Sequence, residues 1–223
     1  MTERFSQVVR QQADAIWESQ HSHPFVRGLG TAELPLPCFQ YWLVQDYRFL
    51  IDYARLLGLG IARASDLATM TQFAELTRTI LSVEMTLHRS YAAQFGISTS
   101  QLESTPKSPA TQAYTDFLIR TATCADFGEL VAALLPCMWG FSEIGQRLAQ
   151  QPAVPNNPYA DWIRTYADPE FAQLAQWCCG LFDRLASEAG ESGRLRMAEA
   201  FLTSSRLEWW FWDAAWKLET WPI

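Results

Sequence analysis

A proline directly ahead of a cysteine, inside an otherwise apolar helical run, points most strongly to chemistry. The run is Ala132-Ala133-Leu134-Leu135-Pro136-Cys137-Met138-Trp139-Gly140-Phe141. Proline in a helix interior costs about 3 kcal/mol, because its ring clashes with the preceding turn and a backbone hydrogen bond is lost. A bend at Pro136 would open space within a helical bundle and aim the Cys137 thiol into it. A thiol is a poor nucleophile until its pKa falls or a base lies beside it. The same residues therefore also fit a buried inert cysteine at an incidental kink. Two carboxylates have similar settings: Asp46 within Tyr41-Trp42-Leu43-Val44-Gln45-Asp46-Tyr47, and Glu208 within Arg206-Leu207-Glu208-Trp209-Trp210-Phe211-Trp212. Burying an ionised carboxylate is costly unless it is paired or hydrogen-bonded, and either acid alone reads equally as a structural group. Two such acids and a cysteine on separate helices suggest a pocket. One acid could grip the amidine edge of a heterocycle, and the other could shuttle protons at a raised pKa.

Helices must hold these residues, and the chain reads as helical throughout. Phe5, Val8, Val9, Ala13, Ile16 and Trp17 form one apolar stripe over Thr2–Gln20. His23-Pro24 and Gly28-Leu29-Gly30 read as a loop. Pro35 and Pro37 suit the entry to a long helix ending near Arg63. Asp66 caps a helix that runs to about Phe95, where Gly96 stops it, and Ser98 starts a short turn. Further helices run from Ser108-Pro109 to about Thr123 and from Asp126 to about Gln150. A short helix around Tyr159–Tyr166 follows the Pro152–Pro158 loop. The last two run from Asp168-Pro169 to about Ala189 and from about Gly193 to Leu218. No run alternates apolar and polar residues between turns, so no sheet is expected. The expectation is all-α, one domain over residues 1–223, built as a bundle of about eight helices.

Composition narrows the function classes. The 223 residues are 49% hydrophobic and 18% charged, which permits a large core. Ten Trp, thirteen Phe and seven Tyr exceed what core filling requires, and suit a flat ligand or a subunit interface. A net charge of -7 and no Lys/Arg cluster argue against nucleic acid. Met1-Thr2-Glu3-Arg4-Phe5 lacks the apolar core of a signal peptide, and no uncharged apolar stretch is long enough to cross a membrane. Five cysteines without a CxxC pair read as free thiols in a reducing compartment. The expectation is a cytoplasmic protein with no membrane partner.

At its chemically suggestive positions the chain resembles the TenA family, thiaminase II enzymes with the helical fold of haem oxygenase. The likeness runs through His23-Pro24-Phe25-Val26 with Gly28 and Gly30, Gln45-Asp46, Glu84-Met85-x-Leu87-His88-Arg89 and Ser108-Pro109 leading to Tyr114. It continues through Leu134-Leu135-Pro136-Cys137, Trp162-Ile163-x-Thr165-Tyr166 and Ser204-Ser205-x-x-Glu208 with Phe211-Trp212. The resemblance implies that Cys137 is a nucleophile adding to a pyrimidine ring, and that Asp46 grips the ring nitrogen and 4-amino group. It implies that Glu208 protonates the leaving group and activates water, and that Tyr114 and Tyr166 contact the pyrimidine. Phe49 and Phe141 stand where some members carry tyrosines, so a simpler polar network is expected around Glu208. The implied reaction converts 4-amino-5-aminomethyl-2-methylpyrimidine to the hydroxymethyl pyrimidine plus ammonia, with thiamine cleavage as a second activity. A homotetramer is implied, and no cofactor.

Other readings rest on fewer residues. Haem ligation would use His21 or His23, which lie at a helix end beside Pro24, a poor place for a rigid axial ligand. A di-iron site could draw on Glu84, His88 and Glu143, but the chain has three histidines, too few for the usual paired Glu-x-x-His motifs. Glu84 and His88 read alternatively as a polar pair bracing two helices. A non-catalytic pyrimidine-binding or regulatory protein is the remaining class.

Overall fold

In a computed structural model describing residues 3–223, the chain folds into helices, with no strand among the described residues. The helix expected over Thr2–Gln20 begins at Phe5, and Thr2 lies outside the described residues. It divides at the buried Ala13 into α1 (Phe5–Gln12) and α2 (Asp14–His21). The expected loop after His23 is a helix, α3 (Pro24–Thr31). Pro24 sits in its first turn, where a missing N–H costs nothing, and the His23 ring accepts from the Phe25 amide. Gly28 serves close approach rather than turning, since a Cβ there would meet the Leu34 backbone at 2.9 Å.

Helix α4 (Leu36–Arg63) is the long central helix and carries Asp46. The next expected helix is interrupted. After α5 (Leu67–Thr79), capped by Asp66, comes a π-helical turn at Ile80–Glu84, and then α6 (Met85–Gln94), closed by Gly96 at φ 77. Residues 80, 84 and 88 are spaced by four, and in an α-helix each such step drifts about 40° around the axis. The wider π turn takes up that drift. Ile80 and Glu84 line one cavity, and His88 reaches Asp46 at its edge.

The remaining helices follow the expected punctuation. They are α7 (Thr99–Ser104), α8 (Pro109–Cys124), α9 (Phe127–Ala149), α10 (Ala160–Tyr166), α11 (Pro169–Glu188) and α12 (Glu191–Lys217). Among the described residues, twelve α-helices and the π turn replace the expected eight or so, because two long segments are divided, one loop is helical and the turn begun by Ser98 is a helix of its own. A continuous apolar cluster runs through the bundle, with α9 at its centre. Among the described residues α9 is the one helix long and apolar enough to cross a bilayer. It carries Glu129, Glu143 and Arg147, and 67% of its most apolar window is buried as core.

Gly145 sets how closely α10 approaches α9. A Cβ there would lie 2.4 Å from the Tyr166 carbonyl carbon and 2.7 Å from the Ala167 nitrogen, both main-chain atoms that no rotamer change can move. Gly145→Ala is expected to destabilise the protein by ~1–3 kcal/mol and to displace Tyr166. A thermal melt with the tryptophan signal monitored checks this, and an unchanged melt would show that α10 is free to shift.

Candidate active site

The proline ahead of Cys137 does not interrupt α9, which runs on to Ala149. Pro136 has no N–H to give the Ala132 carbonyl. On the same turn, the carbonyls of Ala133 and Leu134 accept hydroxyls from neighbouring helices: Ser204 Oγ at 2.6 Å and Tyr53 Oη at 3.0 Å. Polar groups from α12 and α4 thereby fasten the turn that precedes Cys137.

Cys137 lines a cavity with Asp46, Leu50, Tyr53, Ile80, Glu84, Met138, Phe141, Tyr166 and Phe171. Its free volume is only about 20 Å³, room for about one water molecule, so a bound pyrimidine requires the walls to move. The sequence-derived candidates fall into two groups. Asp46, Cys137, Phe141 and Tyr166 share the cavity. Glu208, Tyr114 and Phe49 are buried outside its lining, with Phe49 5.0 Å from the Tyr114 ring. Phe141 packs 4.9 Å from Tyr166 and 5.0 Å from Trp212, within an aromatic wall that includes Trp42 and Trp162. The indole N–H groups of Trp42, Trp162 and Trp212 have no hydrogen-bond acceptor there. Trp162 meets both other indoles nearly edge-on, at 81° and 80°, while Trp42 and Trp212 stack at 8°.

The contacts around Glu208 can be counted in protons. Ser204 Oγ donates to the Ala133 carbonyl, which can only accept. Tyr114 Oη lies 3.0 Å from Ser204 Oγ and 2.8 Å from Glu208 Oε2. With Glu208 ionised, Tyr114 donates to it and the Tyr114–Ser204 contact holds no proton. With Glu208 protonated, each of the three contacts holds one. Burial favours the protonated form: it lifts Glu208 to about 8, against the Tyr114 hydrogen bond and with the Asp46 charge adding to the rise. The simpler network expected from Phe49 and Phe141 is thus a short chain ending on α9.

Asp46 is buried, and its Oδ2 lies 2.6 Å from His88 Nε2. On the far side of the ring, His88 Nδ1 lies 3.0 Å from the Glu84 main-chain oxygen. Burial lifts the Glu84 carboxyl to about 7, with the His88 charge opposing and the Asp46 charge reinforcing. Burial also pushes the Cys137 thiol well up, followed by the carboxyl groups of Glu208, Asp46 and Glu84, so the resting site holds a thiol. Gln45, beside Asp46, faces elsewhere and clamps the loop before α8 through Pro106 O and Ser108 N.

His88 as Asp46's partner, along with Glu84, Tyr53 and Ser204, lies outside the candidates that the sequence offers for chemistry. The signal available was the four-residue spacing of Glu84 and His88, which read as a brace or half a metal site. Glu143 does not join them: it accepts from His21 and Arg10, and these hydrogen bonds hold it at about 2 although burial opposes them. Glu18, His21 and Glu143 bring ligand atoms within 4.8 Å of one another, but Arg10 and Arg147 already neutralise that cluster. His23 is committed to capping α3.

The arrangement of helices is a haem-oxygenase-like one. It superposes with TM-score 0.68 on a domain of unknown function with a heme oxygenase-like fold from Shewanella denitrificans, covering 95% of this chain and 92% of that one at 12% identity, a likeness of fold alone. More narrowly, the chain belongs to the TENA/THI-4/PQQC family, whose model matches residues 10–218. It is 40% identical over 218 residues to the aminopyrimidine aminohydrolase of Halalkalibacterium halodurans, covering 97% of both chains. A TenA family transcription regulator from Silicibacter superposes with TM-score 0.88 at 29% identity, with 96% of each chain covered.

Proposed function

We propose that this protein hydrolyses 4-amino-5-aminomethyl-2-methylpyrimidine to the hydroxymethyl pyrimidine and ammonia through a covalent adduct on Cys137, and that it cleaves thiamine as a second substrate. The observation that carries the reading is one cavity holding a buried carboxyl group and a thiol, with the buried Glu208, bonded to Tyr114, packed behind it. The relative of known activity, alike from end to end, supports the substrate class.

Asp46 grips the ring nitrogen and the 4-amino group, while Phe141 and Tyr166 flank the ring. The Cys137 thiol adds to the ring carbon next to the one bearing the aminomethyl arm. The displaced ring electron pair moves to the nitrogen held by Asp46, which takes up a proton. Expelling ammonia from the adduct needs a proton, and Glu208 is built to hold one. Water then adds to the exocyclic carbon, Glu208 accepting its proton, and the ring expels the sulfur, which regains its proton as the ring nitrogen gives one up through Asp46. No Lys or Arg lines the cavity among the described residues. Arg48, two residues beyond Asp46, donates to the Glu103 carbonyl at 2.7 Å and is committed there. This favours an unphosphorylated pyrimidine.

The chain acts, in this reading, as one domain in the cytoplasm, a placing supported by its continuous core and five free cysteines. It assembles as a homotetramer, for which the exposed Leu67, Leu81, Val83 and Leu195 supply apolar contact surface. Chromatography of products from the aminomethyl pyrimidine and from thiamine tests the substrate. The hydroxymethyl pyrimidine should form from both, faster from the first, and its absence from both would refute the reading. Because the acid form of Glu208 expels ammonia, kcat/KM should fall as pH rises through about 8. A profile still rising well above that pH would remove Glu208 as the acid.

A further inference from the structure

His88 lies outside the residues assigned above, and its role rests on the aminohydrolase reading. His88 is buried between Asp46 and the π turn. Its Nδ1 faces a main-chain carbonyl at 3.0 Å, which can only accept, so Nδ1 carries a hydrogen. Its Nε2 faces a carboxyl oxygen at 2.6 Å, a contact that also requires a proton. A neutral imidazole has only one, already committed to Glu84. The pair therefore holds a proton beyond those of a neutral histidine and an ionised aspartate, and no other cation lies in the cavity lining to compensate Asp46.

We infer that His88 is an imidazolium in the resting protein and is the proton store through which Asp46 protonates the pyrimidine nitrogen. A substrate ring nitrogen is an acceptor and the adjacent amino group a donor, so Asp46 meets both only while it carries a proton on one oxygen. His88 supplies that proton and turns neutral. When the thiol adds, the sulfur–carbon bond forms and the ring electron pair moves to the nitrogen, which keeps this proton. The thiol proton passes to the freed Asp46 carboxylate and on to His88. The store is refilled, and nothing is oxidised or reduced. His88 does not touch the substrate in this scheme; it is a positioning residue acting through Asp46.

The groups that face this pair from the elements around it are few. Glu84 comes from the π turn, Tyr166 from α10 and Cys137 from α9, while Tyr47 from α4 accepts from Arg89. Glu208 lies behind the cavity, and the one acid of α7, Glu103, is exposed. Burial alone would favour neutral His88, but the Asp46 hydrogen bond and charge outweigh it and push its pKa up.

The test joins a spectroscopic and a kinetic arm. With three histidines in the chain, ¹⁵N-histidine NMR of the wild type resolves His88, assigned by its loss in His88→Gln. Both His88 nitrogens should read as protonated through mildly alkaline pH, and Nε2 should move toward the neutral value when hydroxymethyl pyrimidine binds. In His88→Gln the amide still donates to Asp46 but holds no titratable proton. Its kcat should fall ~10²-fold or more with KM nearly unchanged, and its pH profile should depart from that of the wild type because the imidazole no longer titrates. An unprotonated Nε2 in the free wild type, or His88→Gln with wild-type kcat and pH profile, overturns the inference. If His88→Gln does not fold, His88 is assigned by elimination with His21→Gln and His23→Gln, and the wild-type spectrum decides. Absence of ammonia release by the wild type would sink the proposed reaction, while the histidine signature would still be read separately.

Discussion

Cys137→Ser loses ammonia release by at least ~10³-fold while hydroxymethyl pyrimidine binds as tightly as it does to the wild type. The rate effect follows from covalent catalysis, in which deleting the nucleophile removes nearly everything beyond binding and positioning. The setting makes serine a poor substitute. Burial already pushes the more acidic thiol well above its ordinary range, and an alkoxide there would be costlier still. In the proposed binding mode Asp46, Phe141 and Tyr166 hold the ring, and the substitution leaves these three cavity residues unaltered, so affinity is preserved. Stopped assays for turnover and calorimetry for binding separate the two effects. A serine variant within ~10-fold of wild-type turnover would rule out attack by Cys137.

Glu208→Gln is expected to lower kcat by ~10²–10⁴-fold and to stabilise the protein at alkaline pH. The amide N–H can donate to Tyr114 as the protonated carboxyl does, so the chain through Ser204 to Ala133 stays complete. The stability effect follows from linkage. Glu208 titrates at about 8 in the folded protein against an ordinary 4.5, so the folded state binds the proton more tightly than the unfolded state. No penalty exists below pH 4.5, where both states are protonated. It grows as pH rises toward about 8 and is complete above that. Removing the ionisable group should therefore raise stability above pH 8 by a few kcal/mol. Each tenfold difference in proton affinity between the two states contributes roughly 1.4 kcal/mol, less what water entry recovers. Thermal melts at acidic and alkaline pH check the sign: the variant's advantage must grow with pH. An equal loss of stability at both would mean that Glu208 is an ionised structural partner.

The features legible in the sequence share a local cause. Asp66 caps the helix it was expected to cap, and Ser108 and Asp168 cap the helices expected to start beside them, because a side-chain oxygen bonding an amide two or three residues ahead is a short-range device. Cys137 and Asp46 stood out because polar groups inside apolar helices need a reason, and the cavity supplies one. Pro24 looked like a breaker, yet a first helical turn tolerates it and the His23 ring caps that turn, so the segment is helical. The rest of what escaped depends on distant residues. The π turn has no residue signature, and only the demand that residues 80, 84 and 88 face α4 makes sense of it. His88 could not be joined to Asp46, 42 residues away, until the fold brought them to 2.6 Å. Glu208 was legible as a buried acid, but its proton became countable only with Tyr114 and Ser204 in place.

The most direct test of the central claim is ammonia release from 4-amino-5-aminomethyl-2-methylpyrimidine at neutral pH, wild type and Cys137→Ser side by side. Release by the wild type matching the hydroxymethyl pyrimidine formed, with none above background from the variant, is the predicted result. Equal release by both proteins, or none by a wild type that binds the pyrimidine saturably, would contradict it.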